Sequence, residues 1–229
     1  MRSFNKGGKS VYQRYVKRLL DLVISLIGLI VLCPVLAILA IWIRLDSPGP
    51  VLFKQKRVGK GKTYFNIYKF RTMRIDAPHD VPTHLLDSPD AFITRSGRFL
   101  RRTSLDELPQ IFNILKGEMS IVGPRPALWN QDDLIAERDK YGANDIVPGL
   151  TGWAQVNGRD ELEIEEKAMR DGEYARHVTF AMDVTCFMMT IGNVLRHKGV
   201  VEGGTGRLAP HVEARQQEID EEKEKALRA

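Results

Sequence analysis

At 229 residues the chain has room for one domain of ordinary size plus an anchoring segment, and it can bury a continuous core without disulfides or a structural metal. Its formal charge of +5 and pI near 9.2 come from a local excess, with Lys54, Lys56, Arg57, Lys60, Lys62, Lys69, Arg71 and Arg74 inside one short segment; such a patch suits nucleic acid, anionic headgroups or a diphosphate. Cys33 and Cys186 lie in apolar and amphipathic runs with no CxxC or Cys/His spacing, which indicates neither a disulfide framework nor a zinc site and suits a domain facing a reducing cytosol.

Residues 1–18 are polar and basic, and from Leu22 to Ile43 about 22 residues follow without a charge. At about 1.5 Å per residue that is enough to cross a hydrocarbon core of about 30 Å. A secretory signal would have a shorter apolar region and a small-residue cleavage site, so the segment reads as an anchor. Pro34, preceded by Cys33, falls near its middle and favours a kink or break. Both flanks are basic, which assigns both ends to the cytoplasm. The preferred reading is a helix-break-helix hairpin that enters one leaflet and returns; a spanning helix with a proline kink is the alternative.

Asp46-Ser47-Pro48-Gly49-Pro50 is turn chemistry and closes the anchor. Val51 to Phe53 and Tyr64 to Phe70, separated by Gly59-Lys60-Gly61-Lys62, predict a β-hairpin. Lys69 and Arg71 share a strand face, spaced to meet adjacent phosphates or simply to guard a sheet edge. Residues 76–90 read as a polar loop; His79 and His84, with acidic neighbours, are better explained by solvation than by a metal. Arg95, Arg98, Arg101 and Arg102 then form a basic stripe at helical spacing.

Ser104-Leu105-Asp106-Glu107 follows that stripe in the form of a capping box, with Pro109 in the first turn of a short helix ending at Lys116-Gly117. The capping role is compatible with chemistry, since a carboxylate beside arginines stays ionised and can act as nucleophile or metal ligand. Arg125 stands between Pro124 and Pro126, which stiffen the backbone and present its guanidinium with little entropy left to lose. Residues 128–141 predict a polar helix. Pro148 to Gln155 and Asn157-Gly158-Arg159 form a turn-rich passage whose Trp153 suits either a membrane interface or the core. Phe180 to Val201 predicts an amphipathic helix with Asp183, Thr190 and Asn193 on its polar side, covering the core or lying in the interface plane. The tail from Glu213 is charged and carries no legible chemistry. Nucleic acid is disfavoured because aromatics do not interleave with the basic stripe.

Taken together, Lys69-Phe70-Arg71-Thr72-Met73, Arg102 to Gln110, Ser120 to Pro126 and Pro148 to Gln155, following a basic N-terminus and a Pro-interrupted apolar segment, resemble the bacterial sugar transferases known as monotopic phosphoglycosyl transferases, over about Lys17 to Gly206. The resemblance implies an α+β fold, mostly α. It comprises a basic N-terminus and re-entrant membrane helix (1–46), a cytosolic transferase domain with a small β-hairpin and interfacial amphipathic helices (47–206), and a charged tail (207–229). It implies transfer of a sugar 1-phosphate from a UDP-sugar to undecaprenyl or another polyprenol phosphate, releasing UMP, as an initiating step of surface-glycan assembly. Asp106 would be the nucleophile and form an aspartyl phosphosugar. Glu107, with Asp106, would be associated with Mg²⁺, Arg125 with the nucleotide, and Lys69, Arg71 and Arg102 with the substrate phosphates. Implied partners are membrane lipids and downstream glycosyltransferases, at the cytoplasmic face of the bacterial inner membrane. Cys33 departs from the serine that many relatives carry before the proline.

Overall fold

A computed structural model describes residues 10–77, 89–158 and 162–195. His79, His84, Arg159 and the charged tail lie outside the described residues. A π-helical turn (Tyr12–Val16) leads into α1 (Lys17–Asp46), whose apolar stretch is long enough to cross a membrane. The helix-break-helix expectation is revised here. Residues 17–46 stay helical through Pro34. Proline removes one N–H and leaves one carbonyl, that of Ile30, without its donor, and the remaining helical bonds hold.

After the turn at Ser47–Pro50 comes the expected hairpin, longer in its first strand than the sequence suggested: β1 (Leu52–Val58) pairs antiparallel with β2 (Tyr64–Phe70), Phe53 opposite Lys69. A short turn α2 (Pro89–Phe92) and α3 (Arg95–Thr103) follow, then a 3-10 turn (Leu105–Gln110) running into α4 (Ile111–Lys116). α4 ends at Lys116-Gly117, where the sequence predicted its stop, and Gly117 takes the left-handed conformation. The described residues continue with β3 (Ser120–Val122), α5 (Asp132–Asp139), β4 (Gly149–Thr151), α6 (Trp153–Val156), α7 (Ile164–Arg176) and α8 (Phe180–Leu195).

Two joints set the geometry. Asn113, fully buried on α4, accepts from the Tyr68 N–H at 3.0 Å and donates to the Asn66 carbonyl at 2.8 Å, so a side chain takes the place of a third strand on the edge of β2. The other joins β3 and β4, parallel and only three residues each. The Gly123 N–H donates to Thr151 O and the Gly149 N–H to Pro124 O, both at 2.8 Å. This backbone approach excludes side chains: a Cβ at Gly149 would lie 2.1 Å from the Gly123 nitrogen, and one at Gly152 would lie 2.0 Å from its oxygen.

Two helices are inside out. On α1, Asp21 and Ser25 are buried while Ile30, Val31 and Ile38 are about two-thirds exposed. On α8, the polar side turns inward: Asp183 accepts from Tyr12, Lys17 and Tyr174, Thr190 pairs with Thr151, and Asn193 donates to Val156 O. Its apolar residues Phe180, Val184, Phe187, Met188 and Ile191 face outward. A helix that buries carboxylate and exposes Phe and Met has the pattern expected against lipid rather than water. Trp153 packs on the cluster of Val122, Val156 and Tyr174, and its indole N–H donates to Glu173 at 2.8 Å, so it belongs to the core.

Candidate active site

The site forms where β2, the 3-10 turn and the β3–β4 joint meet. Ser104 terminates α3 at φ +56° and redirects the chain, so the following turn points Asp106 and Glu107 back toward the hairpin. The capping box is not made. Ser104 gives no side-chain cap, and Glu107 does not reach back to it, because two cations claim its carboxylate. Glu107 Oε1 accepts from Lys69 Nζ at 2.8 Å and from Arg125 Nη2 at 2.5 Å, and Oε2 accepts from Arg125 Nη1 at 3.4 Å. The Glu107 side chain is only 13% exposed, low enough for these charge-assisted bonds to escape most solvent screening.

Burial alone would push Glu107 up, but the Arg125 guanidinium and Lys69 ammonium outweigh it and hold its carboxyl well below the usual range. Asp106 behaves oppositely. Burial raises it, and the Glu107 charge adds to that, against the pull of Lys69, Arg101 and Arg125. The adjacent carboxylates therefore carry opposed shifts: Glu107 is held as an anion by its two cations, and Asp106 is the more basic of the two. Lys69 is pushed down by burial, with Glu107 opposing. Arg57 from β1, half-buried and bonded to Pro126 O at 3.0 Å and Gln55 at 2.6 Å, braces the loop carrying Arg125.

The predicted residues separate into two groups. Asp106, Glu107, Lys69 and Arg125 come together, and Arg102, on the exposed side of α3, lines a cavity of about 610 Å³ that also reaches Glu107. Arg71 goes elsewhere. It follows the last residue of β2, and its guanidinium donates to Pro48 O at 2.5 Å and Ser47 O at 2.8 Å, fastening the exit of α1. Cys33 and Pro34 lie on α1, with Cys33 exposed. Sequence reading missed Asn113, Arg57, and the buried Arg138–Asp171 pair joining α5 to α7 at 2.5 Å and 2.9 Å. A polar residue within the apolar run 111–115 was the available signal for Asn113. Arg57 was hidden by the surrounding lysines.

The model of the family described as bacterial sugar transferase matches residues 12–197. The chain is 43% identical over 185 residues to an undecaprenyl-phosphate glucose phosphotransferase of Komagataeibacter xylinus, covering 76% of this chain and 35% of that protein. It is 41% identical over 205 residues to a UDP-glucose:undecaprenyl-phosphate glucose-1-phosphate transferase of Xanthomonas campestris pv. campestris, covering 86% and 42%. An uncharacterized sugar transferase of Bacillus subtilis is 38% identical over 186 residues, covering 81% of this chain and 90% of its own length. The chain thus spans well under half of the first two relatives and nearly all of the third. Its matched span contains the Asp106–Glu107 turn, the Arg125 loop and both lipid-type helices, and the chain belongs to the bacterial sugar transferase family.

Proposed function

We propose that this protein transfers a sugar 1-phosphate from a UDP-sugar to undecaprenyl phosphate at the cytoplasmic face of the bacterial inner membrane. The observation that carries the reading is the Asp106–Glu107 pair, held among Lys69 and Arg125 on a domain whose two outward helices suit lipid. The names of the relatives point to undecaprenyl phosphate as acceptor, and two of those names specify UDP-glucose as donor. The relatives differ in the sugar named, glucose in some and N-acetylgalactosamine or galactose in others. Residues 1–46 then act as anchor and 47–206 as transferase domain.

In the first step an Asp106 carboxylate oxygen attacks the phosphorus bearing the sugar, the diphosphate P–O bond breaks, and UMP leaves with the bonding electrons. In the second, an oxygen of the polyprenol phosphate attacks the same phosphorus. The acyl phosphate bond breaks, polyprenol diphosphate sugar departs, and Asp106 is restored. Lys69 and Arg125 draw the diphosphate in and counter its repulsion of the anionic nucleophile, while Glu107 keeps both cations in position. Asp106 and Glu107, whose Oε2 accepts from Arg125 only at a long 3.4 Å, would together with substrate phosphates supply the one or two carboxylates plus phosphate that Mg²⁺ favours. Bound there, Mg²⁺ would neutralise charge developing on the leaving phosphate.

Both ends of α1 are tied to one globular domain. Arg18 donates to Ile114 O at 2.6 Å and Leu115 O at 3.0 Å, and Asp21 accepts from the Ile121 N–H at 3.0 Å; at the other end Asp46 accepts from Ser96 N and Oγ at 2.9 Å and 2.8 Å. A helix so fastened supports a monotopic arrangement, with both ends on one side. The test is UMP release from a panel of UDP-sugars with Mg²⁺, with and without undecaprenyl phosphate, for the parent and Asp106→Asn. Turnover with one sugar, dependent on lipid and lost in the variant, supports the reading. Equal activity of the variant refutes the role of Asp106.

A further inference from the structure

The cavity beside Glu107 has a composition that the diphosphate chemistry does not require. Its volume, about 610 Å³, falls in the range of pockets that bury a whole small ligand. At one end lie Arg102, Ser104 and Glu107; beyond them the walls become largely apolar, with Ile24 and Leu32 from α1, Ile111 from α4, and Phe187 and Val194 from α8. Most of the hydroxyls and amides that also line it are bonded within the protein: Thr151 to Thr190 at 2.6 Å, Asn193 to Val156 O at 3.2 Å, and the Gln155 amide nitrogen to Leu150 O at 3.2 Å, which leaves the Gln155 Oε1 as a buried acceptor without a hydrogen-bond partner among the described residues. Ile24, Phe187 and Val194 are at once cavity wall and outward-facing, at 49%, 45% and 40% exposure. The cavity therefore opens between α1 and α8, on the surface whose apolar residues suit lipid.

We infer that this cavity holds the first isoprene units of the polyprenol phosphate, with the phosphate at the Arg102–Glu107 end and the rest of the chain leaving between α1 and α8. The inference rests on the transferase reading and adds the location and the chemistry of the acceptor's tail. A uridine or a sugar, rich in donors and acceptors, would leave its polar groups unpaired against Ile24, Leu32 and Phe187. A flexible isoprenoid attached to one phosphate matches both ends.

The experiment uses the full chain with Leu32→Trp and Val194→Trp, which fill the cavity from opposite walls with apolar bulk. UMP formed before any lipid is added is expected to match the parent in both variants, while KM for undecaprenyl phosphate rises at least tenfold. Geranylgeranyl phosphate carrying a diazirine in its first isoprene units is expected to label peptides containing Ile111 or Phe187. Undecaprenyl phosphate should compete with the label and phosphatidylglycerol should not. Unchanged KM in both variants overturns the inference. So does label confined to outward α1 residues such as Ile30 and Ile38, or label that phosphatidylglycerol displaces equally well. Absence of UMP formation in the parent would instead refute the transferase reading itself.

Discussion

Glu107 shows how one carboxylate serves structure and chemistry together. Replacing it by Gln leaves Lys69 and Arg125 partly buried with Asp106 as the nearby anion, an arrangement that costs more than the loss of a surface ion pair. Glu107→Gln is expected to lower stability by about 2–3 kcal/mol and UMP release by at least about 100-fold. Denaturant unfolding and a UMP assay check the two effects separately. Because the folded-state carboxyl is held below its ordinary value of 4.5, its stabilisation is fully present above that pH and is lost as pH falls through the folded-state value. The stability gap between parent and variant should therefore be constant at neutral pH and narrow below about pH 4.5. A gap that stays constant into strong acid would mean that the two cations do not stabilise the charged form.

At the scale of elements, the Arg125 loop is held by the β3–β4 joint, where two glycine-bearing segments cross within backbone contact. Gly149→Ala places a methyl group against the Gly123 nitrogen, a clash no side-chain rotation can relieve. The expected cost is roughly 2–3 kcal/mol, seen as a lowered Tm, together with weakened UDP-sugar turnover as Arg125 shifts from Glu107. Gly192→Ala on α8 provides the contrast, since nothing lies within 4 Å of its added Cβ. There the helix gains up to about 1 kcal/mol in propensity. Equal behaviour of the two variants would remove the joint from the account of Arg125.

At the scale of the molecule, α8 and the first half of α1 turn polar groups to the protein and apolar groups outward, the second half of α1 packs Leu39 and Ile43 on the domain, and α1 is fastened at both ends to that domain. In a Cys33→Ala background, Ser10→Cys before α1 and Lys60→Cys in the hairpin beyond it are expected to react with a membrane-impermeant maleimide from the same, cytoplasmic side. Mass tagging of inside-out vesicles and intact cells reads this directly. Labelling of Ser10→Cys from outside the cell would show that α1 crosses.

The sequence by itself determined the elements whose signals are local. The apolar run, the hairpin around Gly59–Lys62 and the stop at Gly117 depend on hydropathy and turn residues close in the chain, and each was legible there. So were Asp106, Glu107, Lys69 and Arg125 as bearers of charge, although not their division of roles. Tertiary structure alone decided what pairs with what. Glu107 forgoes the capping box because Lys69, 38 positions away, and Arg125, 18 away, offer it a stronger interaction than a backbone N–H. Arg71 leaves the site because the carbonyls after α1 lie within its reach, and Asn113 becomes a sheet partner because α4 packs on the edge of β2. The orientation of α8 had the same origin. Its amphipathicity was visible in the sequence, but only Tyr12, Lys17 and Tyr174 converging on Asp183 determined that the polar face is the inner one. Periodicity records that a helix has two faces, and the choice of which is buried belongs to the partners that distant segments bring to it.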